Sequence, residues 1–381
     1  MGRLGHVLIR SDLNAPIEDT ITDDYRIERS AEIVPLIIEN SKSITFLTHL
    51  GRPTSYDSKF STKHLLGALG DYTKTNINHI DSVYGKEVES RINGLQKFSI
   101  NLLENVRFYE GEVSNSSEFA KKVTAPFDTY IFDAFGSSHR NHASVTKMGD
   151  YLQAFQGPLI TKEVDALDII TDSSTSDVCV ILGGAKISDK IKVIKKLLPN
   201  VENLLLSGAM VFTFLKAMGK NIGESLYEEN FIEECKQIIA SDLFKKIILP
   251  IDIGVTESIK NGKRQDVSID SIGNKDKGVD IGKGTIELFK RYMIDSKVIF
   301  WNGPMGIFEI SEYSNGTREV AKIFEETGAY TIAGGGDTIR AIRQFSNIGK
   351  IDFLSTGGGA SLEYLEGREL PGVNKYPSLI I

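Results

Sequence analysis

Short β-branched or aliphatic runs, each followed at once by glycines or by arginine and histidine, recur along this chain and constrain its fold more than any other feature. Runs at 6–10, 43–47, 129–132, 178–182, 203–206, 246–249, 297–300, 330–333 and 352–354 read as strands. Longer helical stretches, such as 186–198 and 315–327, separate most of them. Strands that alternate with helices form βαβ units and mainly parallel sheets. In such sheets ligands sit beyond the carboxyl ends of the strands. At 381 residues the chain exceeds the usual limit of one core, so two domains are expected. The segment from about 153 to 170 reads as helical and is the candidate connection.

The segment after the last run, Leu354-Ser-Thr-Gly-Gly-Gly-Ala-Ser-Leu362, delivers three glycines into a helix start. The first amides of a helix are unpaired and carry about half a positive charge. Glycine there lets a backbone approach phosphate oxygens that a side chain would keep away. Gly357, Gly358, Gly359 and the cap-type Ser361 are thus placed like an anion cradle. The same pattern recurs at Ala333-Gly-Gly-Gly-Asp-Thr338, Leu182-Gly-Gly-Ala-Lys186 and Asn302-Gly-Pro-Met-Gly306. Four such loops in one half of a chain point to a nucleotide or a transferring phosphoryl group.

The two halves carry different chemistry. All six histidines lie within the first 142 residues, whereas 24 of the 35 glycines follow residue 160. The first half therefore suits a small polyanion and the second a nucleotide. A net charge of -7 argues against a nucleic-acid binder, which shows a basic footprint. The two cysteines, Cys179 and Cys235, lack metal-ligand spacing, and Cys179 reads as a reduced, buried strand thiol. With no signal peptide at the start and no run of 18 apolar residues, the cytosol is the expected location.

Individual motifs keep two readings open. Asp12 and Asn14 in Arg10-Ser-Asp-Leu-Asn-Ala-Pro16 could bind sugar-like hydroxyls, or stabilise a turn before Pro16. Arg26 could serve a ligand or pair with Asp23 or Asp24. His49-Leu-Gly-Arg-Pro53 offers an imidazole, a backbone gap at Gly51 and the Arg52 guanidinium directly after a strand. Arg107 and Arg140 repeat the theme, and arginine forks suit carboxylate and phosphate oxygens. Lys186 and Lys190 fall at i, i+4 on the first turns of the 186–198 helix, where cations oppose the dipole, so an external anion would explain them. Asp337 and Thr338 could hold Mg²⁺ together with phosphate oxygens, or Asp337 could be an N-cap. Neither a Walker A loop nor a GxGxxG fingerprint is present.

Taken in order, these segments resemble the phosphoglycerate kinase family. The resemblance runs through SDLNAP (11–16), DDYRI (23–27), HLGRP (49–53), LLENVRF (102–108), DAFGSSHRNHAS (133–144) and LGGAKISDK (182–190). It continues through GAMVFTFLKAMG (208–219), DIGKGT (280–285), WNGPMGIFE (301–309), GGGDT (334–338) and STGGGASLEYLEG (355–367). It implies an α/β fold of two doubly wound, parallel-sheet, Rossmann-like domains joined by a helical hinge. The expected parts are a phosphoglycerate-binding domain at 1–154, a hinge helix at 155–171 and a nucleotide-binding domain at 172–365, with 366–381 folding back onto the first.

The resemblance also implies a reaction and its residues. The reaction is reversible in-line phosphoryl transfer between 1,3-bisphosphoglycerate and MgADP, giving 3-phosphoglycerate and MgATP, in glycolysis and gluconeogenesis. Asp12, Asn14, Arg26, His49, Arg52, Arg107 and Arg140 would hold the phosphoglycerate. Gly184, Ala185, Lys186, Asp189, Lys190, Gly208, Asn302, Gly303, Phe308, Glu309, Gly335, Gly336, Asp337 and Thr338 would hold the nucleotide, with Asp337 on the metal. Arg26, Lys186, Lys190 and the amides of Gly357, Gly358 and Gly359 would surround the transferring group. A cytoplasmic, hinge-bending monomer is expected, with no nucleic-acid or membrane partner. Three departures stand out: Ala209 where the family has glycine, few residues ahead of the first strand, and no aromatic residue before Asp280. A catalytically silent homologue acting as a binding protein is the alternative, but Arg26, Lys186, Lys190 and Asp337 are all present.

Overall fold

A computed structural model describes residues 4–18, 20–172, 174 and 176–380. The expected domain ranges also include residues 1–3, 19, 173, 175 and 381, which lie outside the described residues. The chain forms two compact units, Met1–Asp165 with Glu369–Ile381, and Ala166–Arg368. The division after Asp165 falls inside the helix Pro158–Thr171.

The first unit is built on a six-stranded sheet of β1 (Gly5–Ser11), β2 (Ser41–Leu47), β3 (Ile77–Ile80), β4 (Ser99–Leu103), β5 (Thr129–Asp133) and β6 (Gln153–Gln156). Their order is β3-β4-β2-β1-β5-β6 and every pairing is parallel. β1 and β2 are nearly continuous buried runs because a parallel sheet is covered on both faces. Val7, Ile9, Ile44, Phe46, Leu102 and Ile131 form part of one core with Ile27 and Leu69 of neighbouring helices. The order reverses between β1 and β5, and the loops beyond that point carry Asp12 and the 134–140 segment.

The second unit repeats the plan with β7 (Val178–Leu182), β8 (Asn203–Leu206), β9 (Ile247–Ile248), β13 (Val298–Asn302), β14 (Tyr330–Gly334) and β15 (Phe353–Ser355). The parallel order is β15-β14-β13-β7-β8-β9, so the reversal lies between β7 and β13. An antiparallel sheet of β10 (Asp252–Thr256), β11 (Gln265–Ser268) and β12 (Lys277–Ile281) is inserted after β9. Cys179 lies in β7, free and buried, and burial pushes its thiol up to about 12.

Three local expectations need correction. Residues 153–156 are not helical: they form β6, an edge strand paired to β5, and the helix starts only at Pro158. The helix read over 186–198 spans Ile191–Leu197. Gly184 takes a φ of +109° and gives its N–H to Pro304 O at 3.0 Å, while Ser188 N donates to Glu228 Oε2 at 2.9 Å. Those amides are committed across the unit, so 183–190 is a loop. Ser361 is not a cap: the helix Gly359–Leu365 already contains it, and its Oγ lies 2.7 Å from Ser355 Oγ.

Candidate active site

In the first unit the decisive residue is one that motif reading passed over. Arg10 closes the apolar run of β1 and is 1% exposed. Its Nε donates to Ser144 Oγ at 2.9 Å, and one terminal nitrogen reaches His49 Nδ1 at 3.1 Å and Ser137 Oγ at 3.3 Å. Arginine has only donors, so His49 Nδ1 accepts and the neutral ring carries its proton on Nε2. Ser144 Oγ bridges Arg10 to an acid, donating to Glu112 Oε1 at 2.6 Å, and its N–H donates to Glu112 Oε2 at 2.9 Å. Glu112 is fully buried, with His142 Nδ1 3.5 Å away. The signal in the sequence was an arginine within an otherwise buried strand, which costs too much without partners.

Around this anchor the expected phosphoglycerate residues gather. Arg26 lies 3.6 Å from Asp12 Oδ2 and donates to Asn14 O at 3.4 Å. This Asp12 contact is a partner that the sequence reading, which named Asp23 and Asp24, did not include. Asn14 Oδ1 accepts from Gly51 N at 2.8 Å, and Arg107 donates to Gly51 O at 2.8 Å. Asn105 braces the same loop, its amide nitrogen donating to Leu50 O at 2.8 Å and Phe60 O at 2.9 Å. Arg52 and Arg140 stand exposed on loops. The cluster is short of negative charge. Burial first, then the neighbouring Arg10, pushes the Arg107 guanidinium down to about 10, and Arg140 adds to that field. His49 is held well below the usual imidazole range by burial and then by Arg10, Arg107, Arg26 and His142. An anion placed here would relieve both. We therefore expect His49 to show the Nε2–H tautomer and no protonation near pH 6.5 in nitrogen-detected NMR. Adding 3-phosphoglycerate should raise its titration point, and an ordinary titration near 6.5 without ligand would contradict this geometry.

In the second unit the loops after β7 and β13 are locked together. Lys190, the residue before the helix Ile191–Leu197, turns inward and is 7% exposed. Its ammonium donates to Gly183 O at 2.6 Å, Asn302 O at 2.7 Å and Asn302 Oδ1 at 2.6 Å. Burial pushes its pKa down to about 7, against the pull of Asp189 and Asp337. Asn302 Nδ2 donates to Gly334 O at 2.8 Å, and Gly303 N to Thr338 Oγ1 at 2.7 Å. At Gly303 a side chain is excluded twice: φ is +97°, and a Cβ would lie 2.3 Å from Gly183 O. Gly208 N is tied to Met305 O at 3.1 Å. Phe308 is buried, whereas Lys186, Ala185, Asp189, Glu309 and Asp337 are exposed.

Gly336 and Gly359, the first residues of the helices Gly336–Phe345 and Gly359–Leu365, differ from these packed glycines. A Cβ there would meet nothing within 4 Å. Glycine costs helix stability, and neither packing nor a positive φ demands it here. The open backbone is what a phosphate approaching a helix start needs. Gly335 and Gly358, with φ of +93° and +56°, turn the chain into these two helices. A divalent ion fits Asp337 only in company: among the described residues no group of three or more His, Cys, Asp or Glu is placed to hold a metal. One exposed carboxylate plus phosphate oxygens is the arrangement Mg²⁺ favours.

Residues 4–368 match the sequence pattern of one family, described as phosphoglycerate kinase. The chain belongs to the phosphoglycerate kinase family. The phosphoglycerate kinase of Rubrobacter xylanophilus is 40% identical over 97% of this chain and 95% of its own length. That of Thermosipho africanus is 42% identical over 96% and 94%. Among solved structures, the phosphoglycerate kinase of Coxiella burnetii has a TM-score of 0.85 at 33% identity, covering 97% of this chain and 96% of its own. The enzyme from Pyrococcus horikoshii gives 0.85 at 29% identity. Family and fold both agree with the resemblance drawn from the motifs, and nothing supports the silent alternative. No helix among the described residues is long and apolar enough to cross a membrane.

Proposed function

We propose that this chain is an active phosphoglycerate kinase, transferring the acyl phosphate of 1,3-bisphosphoglycerate to ADP and the reverse. The observation that carries the reading is the buried Arg10–His49 anchor with Arg26, Arg107 and Arg140 around it, a cluster whose cations outnumber its carboxylates, Asp12 and Glu112. Phosphoglycerate would take Asp12 and Asn14 at its hydroxyl, and Arg26, His49, Arg52, Arg107 and Arg140 at its charged groups. The nucleotide would lie on Gly184, Ala185, Lys186, Gly208, Asn302, Gly303, Phe308, Glu309 and the 335–338 turn.

The acceptor is a carboxylate or a nucleotide phosphate, so no general base is required. Catalysis then rests on positioning and on charge stabilisation of three equatorial oxygens. Arg26, Lys186 and the amides of Gly358 and Gly359 are the groups we assign to that charge, because the three N–H groups of Lys190 are on protein oxygens and Gly357 N donates to Ser355 Oγ at 3.1 Å. Mg²⁺, held by Asp337 and phosphate oxygens, would neutralise charge on the nucleotide. Water competes for the same phosphoryl group, so transfer requires that solvent be excluded from it. We assign the enzyme to the cytoplasm as a monomer, with the helix Pro158–Thr171 as hinge.

The test is phosphoryl transfer from MgATP to 3-phosphoglycerate by purified protein, coupled to a dehydrogenase and NADH absorbance. Turnover that depends on both substrates is expected. Folded protein that binds both ligands without turnover would instead favour a binding protein.

A further inference from the structure

Arg340 is not among the residues assigned to the nucleotide, yet its guanidinium joins two of them. One terminal nitrogen lies 2.6 Å from Glu309 Oε1 and 3.2 Å from Asp337 Oδ1. The guanidinium carbon sits 4.9 Å from the centroid of the Phe308 ring, which packs edge-on against Phe345. Glu309 follows β13 and Asp337 opens the helix after β14, so the bridge spans two loops of the same half-site. All three charged side chains are about half exposed or more, so the bridge adds little to folding. Its effect falls on what the two carboxylates meet next.

We propose that Arg340 sets how strongly nucleotide binding depends on a divalent ion; the inference rests on the nucleotide reading of this half-site. Without metal, the guanidinium neutralises Glu309 and Asp337, which would otherwise repel the phosphates of ADP. Its remaining N–H groups suit a phosphate oxygen. A divalent ion on Asp337 would share its carboxylate with a guanidinium that already lies on Oδ1, so metal and Arg340 repel each other there. Arg340 therefore favours metal-free nucleotide and works against the metal-loaded form.

Calorimetric titration with ADP in EDTA and with ADP in excess Mg²⁺ tests this, using wild type, Arg340→Ala and Arg340→Lys. Arg340→Ala should weaken metal-free ADP about tenfold, the worth of one charge-assisted hydrogen bond, and leave MgADP unchanged or tighter. Arg340→Lys should recover part of the metal-free affinity. In an Asp337→Asn background the metal-loaded affinity should no longer respond to Arg340→Ala. Unfolding temperature without ligand should stay near that of wild type, as expected for an exposed bridge. Equal losses in both titrations, or no change in either, would overturn the role of Arg340. Failure of wild type to bind ADP at all would overturn the nucleotide reading and this inference with it.

Discussion

Replacing Lys190 by alanine is expected to cost about 2–4 kcal/mol of stability in the second unit and to abolish nucleotide binding. The amine holds three oxygens of the loops after β7 and β13. Removal leaves Gly183 O and Asn302 Oδ1 short of a donor in the interior, at about 1–3 kcal/mol each less what relaxation recovers. Lys190→Met, which fills the volume but makes no bonds, should lose nearly as much in urea unfolding. A variant that keeps wild-type stability but loses nucleotide would show that ligand, rather than scaffold, holds Lys190. The same residue imposes a pH dependence. With its pKa pushed down to about 7, the free protein loses the positive charge as pH rises through that value, and a neutral amine has two N–H groups for three oxygens. Nucleotide affinity should therefore fall above about pH 7, and bound phosphate should move the fall to higher pH.

Arg26→Ala is expected to lower turnover on the order of a thousandfold while changing the dissociation constant for ADP by less than about threefold. The side chain is 30% exposed and its partners, Asp12 Oδ2 and Asn14 O, lie at 3.6 and 3.4 Å. Such long contacts leave the guanidinium free to turn toward a phosphoryl group as charge develops. Asp12 stays hydrogen-bonded to Asn14 N at 3.2 Å, so the loop should survive the change. Turnover and nucleotide affinity falling in equal measure would remove Arg26 from the transfer step.

What could be read in advance follows from where each signal resides. β7 and β13 announce themselves because Val-Cys-Val-Ile-Leu and Val-Ile-Phe-Trp-Asn are buried on both faces, so a local run suffices. β3 and β6, Ile-Asn-His-Ile and Gln-Ala-Phe-Gln, lie at the sheet edges and are half polar, and a four-residue alternating run has no distinctive period. The glycines and arginines of the candidate site were legible as motifs because each carries its signal locally, as a glycine or a charge directly after a strand. Glu112, Ser144 and Asn105 were not, because each acts through a partner far away in sequence. Ser144 meets Arg10 across 134 residues, and Asn105 meets Leu50 across 55. Lys190 was found for the wrong local reason: an expected helix face proved to be a loop whose ammonium turns inward.

The far end of the chain bears on how the protein is made. Residues 369–380 belong to the first unit, where Ser378 pairs with Gln156 and Gly372 N donates to Ser138 O at 2.9 Å. Ser138 adjoins Ser137, a partner of the buried Arg10. During synthesis the amino-terminal half emerges first yet lacks its last strand-like neighbour until Ser378, more than 200 residues after Gln156, has been added. The second unit, contiguous from 166 to 368, has all of its residues earlier. A stop codon directly after position 368 would thus spare the nucleotide half and leave the older, amino-terminal half unfinished at the very loop that steadies its anion anchor.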